Sequence, residues 1–256
     1  MGKLYFENLS PRERDGIRKQ YAPSEEFLEG KKPFGFKYTF PSGEQLKARQ
    51  SNRGQGFVEI ERNGKIVFNA ADLLPEGWKL ITPTYFQKHP NEESLFDYLG
   101  NHWQTSSDRK LILLGESKSA QDLLLSLLHE MGHTMNDSED ELVAFDALED
   151  ELGRAKDLTY KTLLREERAK DQSKVERRAW AWALTTLRNI ARDNEVDMTP
   201  LFPSAQDVRN YVHNCLADYR RGYEDIIAKG LDEDFYKDLQ QYFDRWQYDK
   251  PPQTRP

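Results

Sequence analysis

Residues 119–133 read Ser119-Ala120-Gln121-Asp122-Leu123-Leu124-Leu125-Ser126-Leu127-Leu128-His129-Glu130-Met131-Gly132-His133. The run has no proline and a broad apolar face, so it is expected to form a helix, with Ser117 or Ser119 capping its start. Residues four apart on a helix lie one above the other. His129 and His133 can therefore turn one ring nitrogen each toward a single point, the arrangement that holds a zinc ion. Glu130 stands beside that point, close enough to reach a water on the metal without being a ligand. The competing reading is an ordinary helix with two unrelated histidines. The chain has only five histidines and two of them fall here, which favours the metal.

A catalytic zinc takes three protein ligands and leaves one position open. Three downstream glutamates compete for the third place. Glu176 shares a helical face with Ala179, Trp180, Ala183, Leu187 and Ile190. A carboxylate in line with a core-facing stripe must be met by a cation or by hydrogen-bond donors. The small Ala179 and Ala183, with Gly132 opposite, would let the two helices approach closely. Alternatively, Ser173 caps a helix there and Glu176 completes a capping box. Glu141 completes a box of the same form, Ser138-Glu139-Asp140-Glu141, and follows His133 too closely for a second helix to return over the metal easily. Glu139 stands where some zinc sites carry a third histidine or aspartate, with Asn136 able to take the left-handed turn before it. Glutamate is an unusual occupant of that place, so Glu176 is preferred.

Around this core the pattern indicates an α+β chain, a small antiparallel sheet followed by a largely helical half that carries the histidines. Phe36-Lys37-Tyr38-Thr39-Phe40 alternates aromatic with polar, Pro41-Ser42-Gly43 is a turn, and Glu44 to Gln50 can return. Phe57 to Arg62 and Lys65 to Phe68 flank Asn63-Gly64, a strong hairpin signal. Lys110 to Leu114 reads as a short buried strand feeding the helix, lying either at a sheet edge or inside it. A short helix is expected from Ser10-Pro11-Arg12-Glu13 to about Gln20, and another from Glu92 to Asn101. Further helices fit Ser138 to Leu152, Leu158 to Gln172, Ser173 to Arg192, Ala205 to Arg220, Tyr223 to Lys229 and Asp232 to Tyr248, the second of these able to run on into the third. The whole is expected to form one domain over 1–256: a charged segment 1–32, a strand-rich part 33–115, a helical part 116–250 and a tail 251–256. The charged insert 137–174 reads as a solvated helical hairpin, with a lid or an oligomer contact as the alternatives.

Composition narrows the partners. The net charge of −7 argues against nucleic acid as the main partner, because phosphate binding needs an excess of Lys and Arg. No apolar run is long enough to span a membrane. The charged N-terminus has no signal-peptide pattern. The single Cys215 allows no internal disulfide and reads as a small buried residue. Together these point to a soluble, cytoplasmic protein; the oligomeric state is not legible.

The stretch Leu128-His129-Glu130-Met131-Gly132-His133, followed by a Glu-x-x-Ala helix, resembles the gluzincin branch of zinc metallopeptidases. It is most similar to the ImmA/IrrE-like proteins, in which the motif precedes a helix of the form Glu-x-x-Ala-x-x-aromatic-Ala. Glu176, Ala179, Trp182 and Ala183 occupy those positions, and the resemblance runs from Lys110 to Leu187. It implies a zincin-like fold, with Zn2+ held by His129, His133 and Glu176. It also implies hydrolysis of a protein or peptide substrate by a zinc-activated water, with Glu130 as general base. The interval from His133 to Glu176 is longer than usual for that family, and no acid follows Glu176 at the spacing that orients a zinc histidine in some gluzincins. A non-catalytic regulator or scaffold retaining the metal-binding fold is the alternative, against which an intact Glu130 argues. A side chain that stabilises the oxyanion is expected among Tyr211, His213, Tyr219 and Tyr223, each of which otherwise reads as a packing or surface residue.

Overall fold

The computed structural model describes residues 35–89, 103–115, 117, 119–136 and 139–221. The helix expected near Ser10, the segment 92–101, the helices expected at 223–229 and 232–248 and the tail 251–256 lie outside the described residues. The architecture is α+β, with an N-terminal antiparallel sheet and a helical half.

The first sheet is a meander of β1 (Gly35–Thr39), β2 (Gln45–Gln50), β3 (Gly56–Arg62) and β4 (Lys65–Asn69), all antiparallel. Alternation decides its faces: Phe36, Tyr38, Leu46, Ala48, Val58 and Ile60 are buried, with polar residues between them on the outer side. Asn63 and Gly64 have φ of 52° and 76°, the two positive values that a type I′ turn requires.

Three short strands form a second sheet in the order β5 (Lys79–Ile81), β7 (Leu111–Leu113), β6 (Gln104–Ser106); β5 runs parallel and β6 antiparallel to β7. The strand expected at Leu111–Leu114 is thus the central strand, and the edge alternative fails. Leu80 and Ile112 face the main core, while Ile81, Leu111 and Leu113 pack on Phe86 from a single helical turn, Tyr85–Lys88.

The helical half comprises α1 (Ala120–Asn136), α2 (Glu139–Arg154), α3 (Leu158–Asp193) and α4 (Ala205–Arg221). Ser119 caps α1, its Oγ accepting from Asp122 N at 3.0 Å; Ser117 instead accepts from Trp103 Nε1. Leu123, Leu124, Leu125, Leu127 and Leu128 are fully buried, each contributing roughly 1.5–3 kcal/mol by leaving water. The two helices anticipated over 158–192 are one 36-residue helix, α3. Neither glycine nor proline interrupts it, and Ser173 donates to the Lys170 carbonyl at 2.8 Å from inside the helix. Ser173 is therefore no cap, which removes the capping-box account of Glu176. Helix α2, expected to end at Leu152, runs on through Gly153 to Arg154. It forms a hairpin with the start of α3, joined by an Arg168–Glu149 ion pair and by Tyr160 donating to Glu151.

Helix α3 ends in a Schellman turn: Val196 N donates to Ala191 O at 3.0 Å and Glu195 N to Arg192 O at 3.3 Å, with Glu195 at φ 54°. Arg62 at the end of β3 donates to the carbonyls of Asn194 and Glu195 at 3.0 and 3.2 Å, and to Glu44 at 2.8 Å. A cation thus meets the negative end of the longest helix and ties it to the first sheet.

Helices α1 and α3 touch backbone to backbone. A Cβ placed on Gly132 would lie 2.5 Å from the Ala179 carbonyl oxygen and 2.8 Å from its Cα. Since neither partner atom is the end of a flexible side chain, the helices would have to separate. Gly132→Ala is expected to destabilise the protein by about 1–3 kcal/mol and to impair metal retention in the same variant; urea unfolding and metal analysis after gel filtration check both.

Candidate metal centre

The close approach at Gly132 and Ala179 determines what surrounds it. His129 and His133 flank Gly132 on α1, and Glu176 precedes Ala179 by nearly one turn on α3. His129 Nε2 lies 3.2 Å from His133 Nε2 and 3.1 Å from Glu176 Oε2, and His133 Nε2 lies 3.8 Å from the same oxygen. His129 is fully buried, Glu176 is 5% exposed and His133 is half-buried. Three groups from two helices thus converge, and together they could hold a metal ion. The donor set suits that role: two imidazoles with a carboxylate give a cation two neutral donors and one negative charge. The side chains of Glu139 and Glu141 lie outside the described residues.

Glu130 is 5% exposed. Its Oε2 accepts a hydrogen bond from Thr105 Oγ1 at 2.8 Å, and its backbone carbonyl lies 3.2 Å from the same hydroxyl. Thr105 is the middle residue of β6, opposite Ile112 on β7. Paired residues point to the same side of a sheet, so the register that buries Ile112 toward α1 sends Thr105 there too. Sequence inspection misses Thr105, because a three-residue strand shows no periodicity and a lone threonine in a mixed segment carries no motif.

His129 Nδ1 is buried and has no hydrogen-bond partner among the described residues. Metal-bound histidines usually donate this nitrogen to a carboxylate or carbonyl, which fixes the ring. What holds the ring here is its face: Trp180 stacks on it with centroids 4.3 Å apart and planes at 27°. Trp180 is fully buried, and its Nε1 also has no partner among the described residues. A buried N–H without a partner costs about 1–3 kcal/mol, so what the indole contributes at this position is its face.

Of the residues considered for oxyanion stabilisation, Tyr211 is committed elsewhere. Its hydroxyl donates to Asp122 Oδ1 at 2.5 Å and lies 3.0 Å from Ser126 Oγ. Burial, and then the Asp122 charge, push its pKa well above the usual phenol value, so it stays protonated and donates. His213 is half-buried on α4, its pKa lowered by burial and by Arg209. The side chain of Tyr219, and Tyr223, lie outside the described residues. Cys215 is buried, and its thiol is pushed far up by burial and next by Asp122, which suits the packing role expected of it.

No described helix is long and apolar enough to cross a membrane.

Trp180→Ala is expected to weaken metal binding about 10–100-fold, as loss of a ligand-orienting group does. Trp180→Phe keeps a ring face, discards the orphaned N–H and is expected to bind metal nearly as the parent does; competition against a chromophoric chelator measures both. Compared with known proteins, the chain matches no family model, no curated protein and no solved structure.

Proposed function

We propose that the protein is a zinc-dependent metallopeptidase, with His129, His133 and Glu176 as ligands and Glu130 as general base. The observation that carries this reading is the convergence of three potential ligands from two helices beside a buried glutamate. Ligands at about 2.0–2.1 Å in a tetrahedron stand roughly 3.3 Å apart, close to the 3.1, 3.2 and 3.8 Å separations at the site. Two imidazoles and one carboxylate also form a donor set common for catalytic zinc. The intact Glu130 favours this reading over a non-catalytic regulator or scaffold, since a purely structural metal has no use for a base.

Bound there, zinc supplies the Lewis acidity that acidifies water and polarises a carbonyl. Glu130 takes the proton of the attacking water and passes it to the leaving amine. His129 and His133 hold neutral nitrogens toward the metal, and Glu176 contributes the negative charge. The extended substrate pairs with β6, whose only strand partner among the described residues is β7. A peptide added to an edge strand gains main-chain hydrogen bonds, and β6 lies directly against α1 through Thr105. Protein or peptide chains are the substrate class, and the zincin-like fold belongs to the same proposal.

Two variants test it. Glu130→Gln is expected to retain about one zinc per chain and to lower peptide hydrolysis by roughly 10²–10⁴-fold, the contribution of a general base. Glu176→Ala is expected to lose zinc, read by elemental analysis of the purified full chain. Equal hydrolysis by Glu130→Gln and parent removes the enzyme reading; full zinc occupancy in Glu176→Ala removes the ligand assignment.

A further inference from the structure

We infer that Thr105 is a positioning residue for the general base, so that the strand proposed to receive substrate also sets where the proton is taken. This rests on the peptidase reading above.

The hydroxyl of Thr105 has one hydrogen and two acceptors within reach on the same residue: Glu130 Oε2 at 2.8 Å and the Glu130 carbonyl at 3.2 Å. The carboxylate is the nearer and the charged acceptor, and a charge-assisted bond is the stronger. That bond anchors one carboxylate oxygen, fixes the plane of the group and directs proton transfer to Oε1. A glutamate has three rotatable bonds, and catalysis is sensitive to small misplacements of the reacting group. Residue 105 is well placed for the task. It is the central residue of β6, flanked by Gln104 and Ser106, and is held in register by pairing with Ile112, which is fully buried. The hydroxyl therefore approaches α1 from a strand whose position the core sets.

The same geometry couples substrate and base. An extended chain on β6 would be hydrogen-bonded to the backbone of the residues whose middle side chain holds Glu130. The distance from the scissile carbonyl to the base is then set within a few bonds of one strand, without passing through a loop.

The test uses the full chain reconstituted with zinc, and separately with Co2+. Hydrolysis is followed with a mixture of quenched fluorogenic peptides of randomised sequence. Thr105→Val is close to isosteric and replaces the hydroxyl, with its donor, by a methyl group; Thr105→Ser restores the hydroxyl. Thr105→Val is expected to keep zinc and KM and to lose kcat about 10–100-fold. Its Co2+ visible spectrum is expected to differ from the parent, whereas Thr105→Ser returns both kcat and spectrum to near parental values. Thr105→Ala serves as a second donor-less variant should valine disturb folding. An unchanged kcat in a folded donor-less variant overturns the inference whatever the spectrum shows, as does loss of zinc, which would make Thr105 a support of the metal site instead. Neither result touches the peptidase reading as long as Glu130→Gln remains inactive. Absence of hydrolysis by the parent protein overturns that reading, and this inference with it.

Discussion

The structure turns on one contact in which no side chain takes part. Gly132 of α1 lies against the backbone of Ala179 on α3, closer than any Cβ would permit. Helices that pack through ordinary side chains keep their axes about 8–10 Å apart; small residues at the crossing allow a nearer approach. The consequence is local and chemical. His129 and His133 bracket the glycine, Glu176 sits just before the alanine, and their donor atoms fall within 4.8 Å of one another. A side chain at Gly132 would push α3 away and draw Glu176 from the histidines. Leu128 and Met131 on α1 and Ala183 and Leu187 on α3 are fully buried and belong to the same hydrophobic core.

A second layer keeps the histidine ring in orientation. Trp180 stacks on His129, and Tyr211 of α4 meets Trp180 edge to face, with centroids 6.1 Å apart. Tyr211 in turn is tied to Asp122 and Ser126 at the start of α1. The helix that carries the histidines is thus joined to α4 by hydrogen bonds near its N-terminus, and through Trp180 by ring contacts near the site. Asp122 and Tyr211 are both deeply buried, so the hydrogen bond between them satisfies two polar groups that would otherwise be costly there. Of the two readings that the sequence allows for Tyr211, packing residue or oxyanion donor, the buried hydrogen bonds of its hydroxyl favour the first.

Much of the site was legible because it is written at helical spacing. A four-residue histidine interval needs only a helix to become a pair of converging ligands, and Glu176 could be singled out because a carboxylate in line with Ala179, Trp180 and Ala183 sits on a buried stripe. Long alternating strands and Asn63-Gly64 revealed the first sheet for the same reason: their periods exceed the noise of single residues. Of the two readings open at Ser173, a break or a continuous helix, the continuous one holds. Serine is a frequent cap, yet it is also accommodated inside helices when its hydroxyl bonds back to a preceding carbonyl, as it does here to Lys170. Strands β5 and β6 escaped notice because three residues cannot display alternation, and their existence depends on the pairing partner β7.

That last failure has a functional side. The second sheet joins a short local hairpin, β6 with β7, to a parallel pairing of β7 with the distant β5; its central strand looks, in sequence, like any short apolar run, while β6 looks like a loop. β6 contributes Gln104, Thr105 and Ser106, residues with no hydrophobic signal at all, and all three are only partly buried. Polar residues are what an edge strand beside a polar site calls for. A fully apolar strand there would be an aggregation hazard and could offer no donor to a carboxylate. The composition that hides β6 in the sequence is therefore the composition that lets it offer a hydroxyl to the buried Glu130 carboxylate, from Thr105 Oγ1 to Oε2 at 2.8 Å.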